Sequence, residues 1–113
     1  MCGIAGIVSN NRNIDKVIKK ITSQLVHRGP DFQDIYINNE LALAHTRLSI
    51  IDLNDRANQP MSDVSGKYTI VFNGEIYNFL ELKKEMQNQE IIFKTNCDTE
   101  VILNGYKFFG INF

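Results

Sequence analysis

Apolar positions change period along this chain, and each change marks an element. Residues 3–8 are small or apolar without a break and read as a short buried strand, Gly3 and Gly6 permitting close backbone approach. Ile14, Val17, Ile18, Ile21 and Leu25 then recur at helical spacing, with Asp15, Lys16, Lys19 and Lys20 turned to water. Asn13 suits the N-cap of this helix and Gly29-Pro30 its stop. Residues 34–37 and 41–46 read as strands on either side of an Asn38-Asn39 turn, and residues 54–66, rich in Asn, Asp, Ser, Gly and Pro, as loop. Residues 67–72 alternate as a strand and run into Asn73-Gly74. A second helix is predicted from Asn78, where Asn78 and Glu81 have capping-box spacing and Phe79, Leu82 and Met86 share a face. Residues 91–93 read as a further short strand. A third helix opens near Asp98, with Val101, Ile102, Tyr106 and Phe109 on its apolar side. The order predicts an α+β fold built on hairpins rather than strict βαβ alternation, as one domain over residues 1–113. Tyr106, Phe108, Phe109, Ile111 and Phe113 crowd the end, a surface expected to meet another chain or the rest of a larger domain.

Composition narrows the function. Apolar residues make up 43% and charged residues 22%, which is globular rather than disordered. Twelve basic residues against 13 acidic leave a net charge of −1, without the footprint of a nucleic-acid binder. No apolar run approaches the roughly 20 residues of a membrane helix, and no basic segment precedes a long apolar core as in a secretory signal. A cytoplasmic protein without membrane or nucleic-acid partners is expected. Cys2 and Cys97 are the only cysteines, too few for a disulfide scaffold and not in a C-x-x-C pair, and His27 and His45 are too scattered for zinc, so no metal is expected.

The candidate chemistry begins at Cys2. With Met1 removed, thiol and free α-amino group belong to one residue. Such amines titrate at ~7.7–8.0 when unperturbed, so a fraction is available as base near neutrality. The plainer reading is a small buried thiol at a strand start. Arg47 is suited to a carboxylate or to an ion pair across the sheet. Asn73-Gly74 is a hairpin signal as well as a pair of N–H donors, and Asp98 is a helix N-cap as well as a free carboxylate. Residues alone leave these alternatives open.

Six segments occur in one order: Met1-Cys2-Gly3-Ile4-Ala5-Gly6-Ile7, His27-Arg28-Gly29-Pro30-Asp31, His45-Thr46-Arg47-Leu48-Ser49-Ile50, Gln59-Pro60, Asn73-Gly74-Glu75-Ile76-Tyr77-Asn78 and Asp98-Thr99-Glu100-Val101-Ile102-Leu103. Together they resemble the class II glutamine amidotransferases, and within them the glutaminase domain of glutamine-hydrolysing asparagine synthetases. The resemblance implies an N-terminal nucleophile hydrolase fold, an αββα sandwich of which these residues are an incomplete first part. It implies thiol attack on the glutamine side-chain amide, release of ammonia and hydrolysis of a glutamyl thioester. Cys2 would be the nucleophile, with its own amino group moving the proton. Asn73 and Gly74 would form the oxyanion hole, and Arg47 would hold the substrate carboxylate. Leu48, Ser49, Ile50 and Ile51 would line the pocket, and Glu75 and Asp98 would face the substrate ammonium group. His45, Arg28 and Asp31 would brace the surrounding loops, and Cys97 has no role. The implied partner is a synthetase domain or subunit, and ATP and magnesium would belong to it, so no cofactor is expected here and this chain alone would not make asparagine.

Two other readings remain at this point: a cysteine–histidine amidase using Cys2 with His45 as base, and a non-catalytic fragment that binds glutamine or docks on a separate synthetase. The two enzyme readings predict opposite outcomes in an ammonia-release assay. An extra residue left ahead of Cys2 should abolish turnover if the α-amine is the base and spare it if His45 is, whereas His45→Ala should abolish only the second mechanism.

Overall fold

Strand β1 (Gly3–Val8), helix α1 (Ile14–Leu25) and strands β2 (Phe32–Asn38) and β3 (Leu41–Arg47) follow one another much as the period changes predict. The computed structural model describes residues 1–10, 12–49 and 53–113. It divides into two units, the first comprising residues 1–10, 12–49, 58–60 and 71–73 and the second residues 53–57, 61–70 and 74–113.

In the first unit, β3 lies between β1 and β2, antiparallel to both. The register runs from Gly3 opposite Thr46 to Val8 opposite Leu41 on one side, and from Phe32 opposite Arg47 to Asn38 opposite Leu41 on the other. The β2–β3 turn closes through Asn39 at φ 48°, a left-handed conformation that Asn tolerates better than most residues. Helix α1 covers one face: Ile14 and Ile18 are buried against Ala42 and Ala44, with Ala5, Ile7 and Ile35 packed around them. Alanines at the centre of β3 leave room for the helix, and complete burial of the Ile18 side chain contributes about 1.5–3 kcal/mol.

Three expectations are corrected here. β1 is an edge strand with one covered face, not a buried one: Ala5 and Ile7 turn inward while Ile4 and Val8 remain 44% and 79% exposed. Val17 lies outside the buried stripe of α1, and Thr22 takes an inward place by donating its hydroxyl to the Ile18 carbonyl at 2.7 Å. The helix ends at Leu25, and a turn closed by Arg28 N–H to Leu25 O and Gly29 N–H to Val26 O precedes Gly29-Pro30.

The second unit holds a 3-10 turn (Asp55–Ala57), β4 (Met61–Ser62) paired antiparallel with β5 (Thr69–Ile70), α2 (Phe79–Asn88), α3 (Asp98–Phe109) and a 3-10 turn (Gly110–Asn112). The expected loop over 54–66 therefore contains a turn and a strand, and the strand expected over 67–72 shrinks to two residues. Asn73-Gly74 does not close a hairpin, because the chain continues from it into α2. At Asn78 the capping box is absent. The residue sits at φ −98°, ψ 23°, and its carbonyl accepts from Glu81 N–H at 3.1 Å and Leu82 N–H at 3.2 Å.

Residues 91–93 are not a strand. Glu90 adopts φ 65° and turns the chain back, Ile91 N–H reaching Met86 O at 3.1 Å and Glu90 N–H reaching Gln87 O at 3.0 Å. That is the Schellman closure of α2, with Ile91 buried beside Met86 and Val101 as its apolar contact. The buried face of α3 comprises Val101, Leu103, Asn104 and Gly105, whereas Tyr106 and Phe109 are 49% and 41% exposed. The terminal aromatics are partly folded onto their own unit: Phe113 stacks on Phe109 with centroids 6.0 Å apart, and its ring lies where a Cβ on Gly105 would sit. Among the described residues no helix is long and apolar enough to cross a membrane.

The β4–β5 connection is organised by Asp63. Its carboxylate accepts from Ser65 Oγ at 2.6 Å and Tyr68 N–H at 3.0 Å and pairs with Lys107 Nζ at 3.0 Å. The Ser65 hydroxyl first, then Tyr68 N–H and Lys107, hold the Asp63 carboxyl well below the usual carboxylate range. A depressed folded-state value contributes stability that is complete above the ordinary ~3.9 and lost as pH falls toward the folded value. Denaturant unfolding from pH 6 to pH 2 should show this loss in the unsubstituted chain and a shallower acid slope in Asp63→Asn; equal slopes would contradict the assignment.

Candidate functional site

Cys2 precedes β1 and is tied to the residue that follows β3. Its Sγ donates to Leu48 O at 3.7 Å and accepts from Leu48 N–H at 3.3 Å. A backbone N–H aimed at sulfur suits a sulfur that carries negative charge during reaction. Arg28 Nε–H donates to Cys2 O at 3.1 Å, holding the same residue from the turn after α1. The side chain is half-buried and its thiol is free, while Met1 ahead of it is 76% exposed.

Residues 29–31 brace the far side of Arg47. Pro30 bridges to Arg47, Asp31 N–H donates to Arg47 O at 3.0 Å, and Ser49 N–H donates to Asp31 Oδ2 at 2.7 Å. Gly29 makes this approach possible, since a Cβ there would lie 2.3 Å from Thr46 O. Gly3 does the same for Thr46 Oγ1, which donates to Leu25 O at the end of α1 at 3.0 Å. Arg28 and Asp31 thus act as the loop braces the sequence predicts. His45 is fully buried within the first unit, beside the Phe72 backbone. On the ladder it faces Ile4 and Asp34.

Arg47 is 6% exposed and donates from Nη1 to Asn58 Oδ1 at 2.5 Å. Phe72 N–H donates to Gln59 Oε1 at 2.6 Å, which secures the backbone immediately before half-buried Asn73. Asn58 and Gln59 make these contacts, and sequence reasoning assigned neither of them a role. Gln59 stood in one of the six ordered segments; Asn58 carried no signal.

The first unit accordingly gathers Cys2, Arg47, Leu48, Ser49 and Asn73. Ile50 and Ile51 lie outside the described residues. The second unit contains Gly74, Glu75 and Asp98. Gly74 and Glu75 are exposed, and Asp98 is 6% exposed. Asp98 is not the N-cap of α3. Cys97 holds that position, and the Asp98 carboxylate, one residue into the helix, accepts from Ile76 N–H at 3.1 Å. The second carboxylate of that turn, Glu100, accepts from Lys94 N–H at 2.9 Å and Thr95 N–H at 2.7 Å, fixing the approach to the helix. Cys97 is a buried free thiol beside Thr95 Oγ1, packed with Ala57, Met61 and Leu103, as a structural cysteine would be.

The model of the glutamine amidotransferase domain family matches residues 1–113. Glutamine-hydrolyzing asparagine synthetase 1 of Bacillus subtilis (strain 168) is 37% identical over 112 residues, covering 95% of this chain and 18% of that protein. Glutamine-hydrolyzing asparagine synthetase 1 of Arabidopsis thaliana is 36% identical and the Brassica oleracea glutamine-hydrolyzing asparagine synthetase 39% identical, each over all of this chain and 19% of the relative. The chain therefore spans under a fifth of the length of these curated relatives.

The setting of His45 has a consequence that pH can read. Burial, reinforced by the Arg47 charge and only partly opposed by the Phe72 backbone, pushes its pKa below the ordinary 6.5. The folded chain therefore holds a neutral imidazole where the unfolded chain takes up a proton. Stability from this residue is complete above about 6.5 and lost as pH falls toward the folded value. As pH falls through about 6.5 the unfolding free energy should fall, and the His45 ring carbons should titrate in NMR below the ordinary 6.5; a folded-state ring that titrates at or above 6.5 would contradict this.

Proposed function

The chain belongs to the glutamine amidotransferase domain family, and from that premise we propose that it carries the glutamine-hydrolysing chemistry of an asparagine synthetase. Removal of exposed Met1 leaves Cys2 with a free α-amine. The thiol gives its proton to that amine as sulfur attacks the side-chain carbonyl of glutamine. The carbon–nitrogen bond then breaks, the amine returns the proton to the leaving group, and ammonia departs. Water, deprotonated by the same amine, hydrolyses the glutamyl thioester to glutamate and restores the thiol. The observation that carries this reading is the double contact between Cys2 Sγ and the Leu48 backbone, which anchors the nucleophile beside the segment assigned to the pocket.

In this reading the Arg47 guanidinium receives the substrate α-carboxylate in a charge-assisted pair. Leu48, Ser49, Ile50 and Ile51 line the pocket, and Glu75 and Asp98 receive the α-ammonium group. The side-chain amide of Asn73 and the N–H of Gly74 meet the developing oxyanion, where one such donor is typically worth about 2.7–4 kcal/mol. His45 as general base is disfavoured by its burial and by ladder neighbours that do not include Cys2.

Residues 1–113 are then the opening part of a glutamine amidotransferase domain, an αββα N-terminal nucleophile hydrolase sandwich. Ile4 and Val8, exposed on the face of β1 that α1 leaves uncovered, support a second layer there. The ammonia would pass to a synthetase domain or subunit that binds ATP and magnesium and makes asparagine. Two free thiols fit the reducing cytoplasm as its location.

Ammonia release from glutamine by Met1-free chain should be abolished by Cys2→Ser and unaffected by Cys97→Ser. Arg47→Ala should raise KM for glutamine by roughly 10–150-fold, the worth of a hydrogen bond to a charged group, and Asn73→Ala should lower kcat by about 10²–10³-fold. Turnover that survives Cys2→Ser would overturn the proposal.

A further inference from the structure

We propose that Asn58 and Gln59 are positioning residues, a pair of adjacent amides that sets both the carboxylate-binding and the oxyanion-binding arms of the site. The inference rests on the roles given above to Arg47 and Asn73. Neither amide touches substrate in this scheme; each acts through a neighbour.

The geometry assigns one arm to each amide. Asn58 Oδ1 accepts from Arg47 Nη1 at 2.5 Å, at a guanidinium only 6% exposed. A guanidinium is planar, so holding one of its nitrogens against a fixed acceptor sets the direction in which its other donors point. A long Arg side chain has rotamer freedom to lose when a carboxylate binds. A partner already in place removes part of that cost.

Gln59 is 7% exposed and accepts the Phe72 N–H at 2.6 Å. Ladder pairing of β5 stops at Ile70, so the backbone leading to Asn73 lies beyond the sheet, and the Gln59 amide takes the place of a ladder acceptor at Phe72. A donor meant for a developing oxyanion is effective only when held within a few tenths of an ångström, and the residue next to it carries this restraint. One dipeptide therefore reaches both the group that recognises the amino-acid end of glutamine and the group that stabilises its reacting end. A shift of residues 58–59 would disturb binding and catalysis together, while each side chain alone governs one of them.

The test is a KM-against-kcat split in the full Met1-free chain, with rates normalised to the fraction of Cys2 open to iodoacetamide. Asn58→Leu should raise KM for glutamine about tenfold with kcat nearly unchanged, and Gln59→Leu should lower kcat about tenfold with KM nearly unchanged. Asn58→Asp and Gln59→Glu keep the acceptor and should recover most of each loss. Glutamine protection of Cys2 against iodoacetamide, which needs binding alone, gives a second readout: the half-protecting concentration should rise about tenfold in Asn58→Leu and not in Gln59→Leu.

If both Leu variants lower kcat and raise KM alike, or neither Asp nor Glu rescues, the pair is merely structural and the inference falls. If Arg47→Ala raises KM while Asn58→Leu does not, the inference falls and the role of Arg47 stands. If Arg47→Ala leaves KM and protection unchanged, the role of Arg47 is what fails. An unsubstituted chain neither turning over glutamine nor protected by it removes both.

Discussion

The structure of the site depends on how tightly the backbone before β1 is held against the backbone after β3. Cys2 meets Leu48 through two sulfur contacts, and the turn after α1 passes so close to Thr46 that only glycine fits at position 29. The role proposed for Cys2 needs such restraint, because chain ends fray. Here the antiparallel ladder beginning at Gly3, the Arg28 contact to the Cys2 carbonyl and the Leu48 backbone restrain Cys2. Main-chain groups of Leu48 and the Arg28 side chain together position the residue.

The same economy appears in the acidic residues. Asp98 and Glu100 both receive backbone N–H groups from residues outside α3, so one helix start organises two incoming segments of the second unit. Asp98 keeps further acceptor capacity, because a carboxylate offers about four lone-pair sites. A structural bond to Ile76 and a role toward a substrate ammonium group are therefore compatible. In the first unit the buried Arg47 side chain is likewise held by a neighbour, donating to Asn58.

Much of this was legible in the residues, and the failures have physical causes. The helix and three strands of the first unit were legible from the apolar pattern and its turn signals, although the unbroken run of β1 hid that only one of its faces is covered. The second unit misled because its restraints are polar and local. Glu90 takes a left-handed position where glycine is usual, so the closure of α2 left no signature and Ile91 passed for a strand residue. Asn78 and Asp98 both carried N-cap signals, yet the capping at Asn78 is done by its carbonyl and the cap of α3 is Cys97. The ordered motifs singled out Cys2, Arg47 and Asn73, which the first unit contains, and Arg28 and Asp31, which contact the backbone of Cys2 and Ser49. They did not single out Asn58, because an amide that contacts only a neighbouring side chain looks like any loop asparagine in the sequence.

The central claim is that sulfur and amine on one residue perform the reaction. It is tested most directly by rapidly quenching the chain during incubation with glutamine and mapping the covalent intermediate by mass spectrometry. The account predicts a glutamyl thioester on a polypeptide that begins at Cys2, with an unmodified α-amine. A thioester formed on chain that retains Met1, or ammonia release with no adduct on Cys2 at any time, would contradict it.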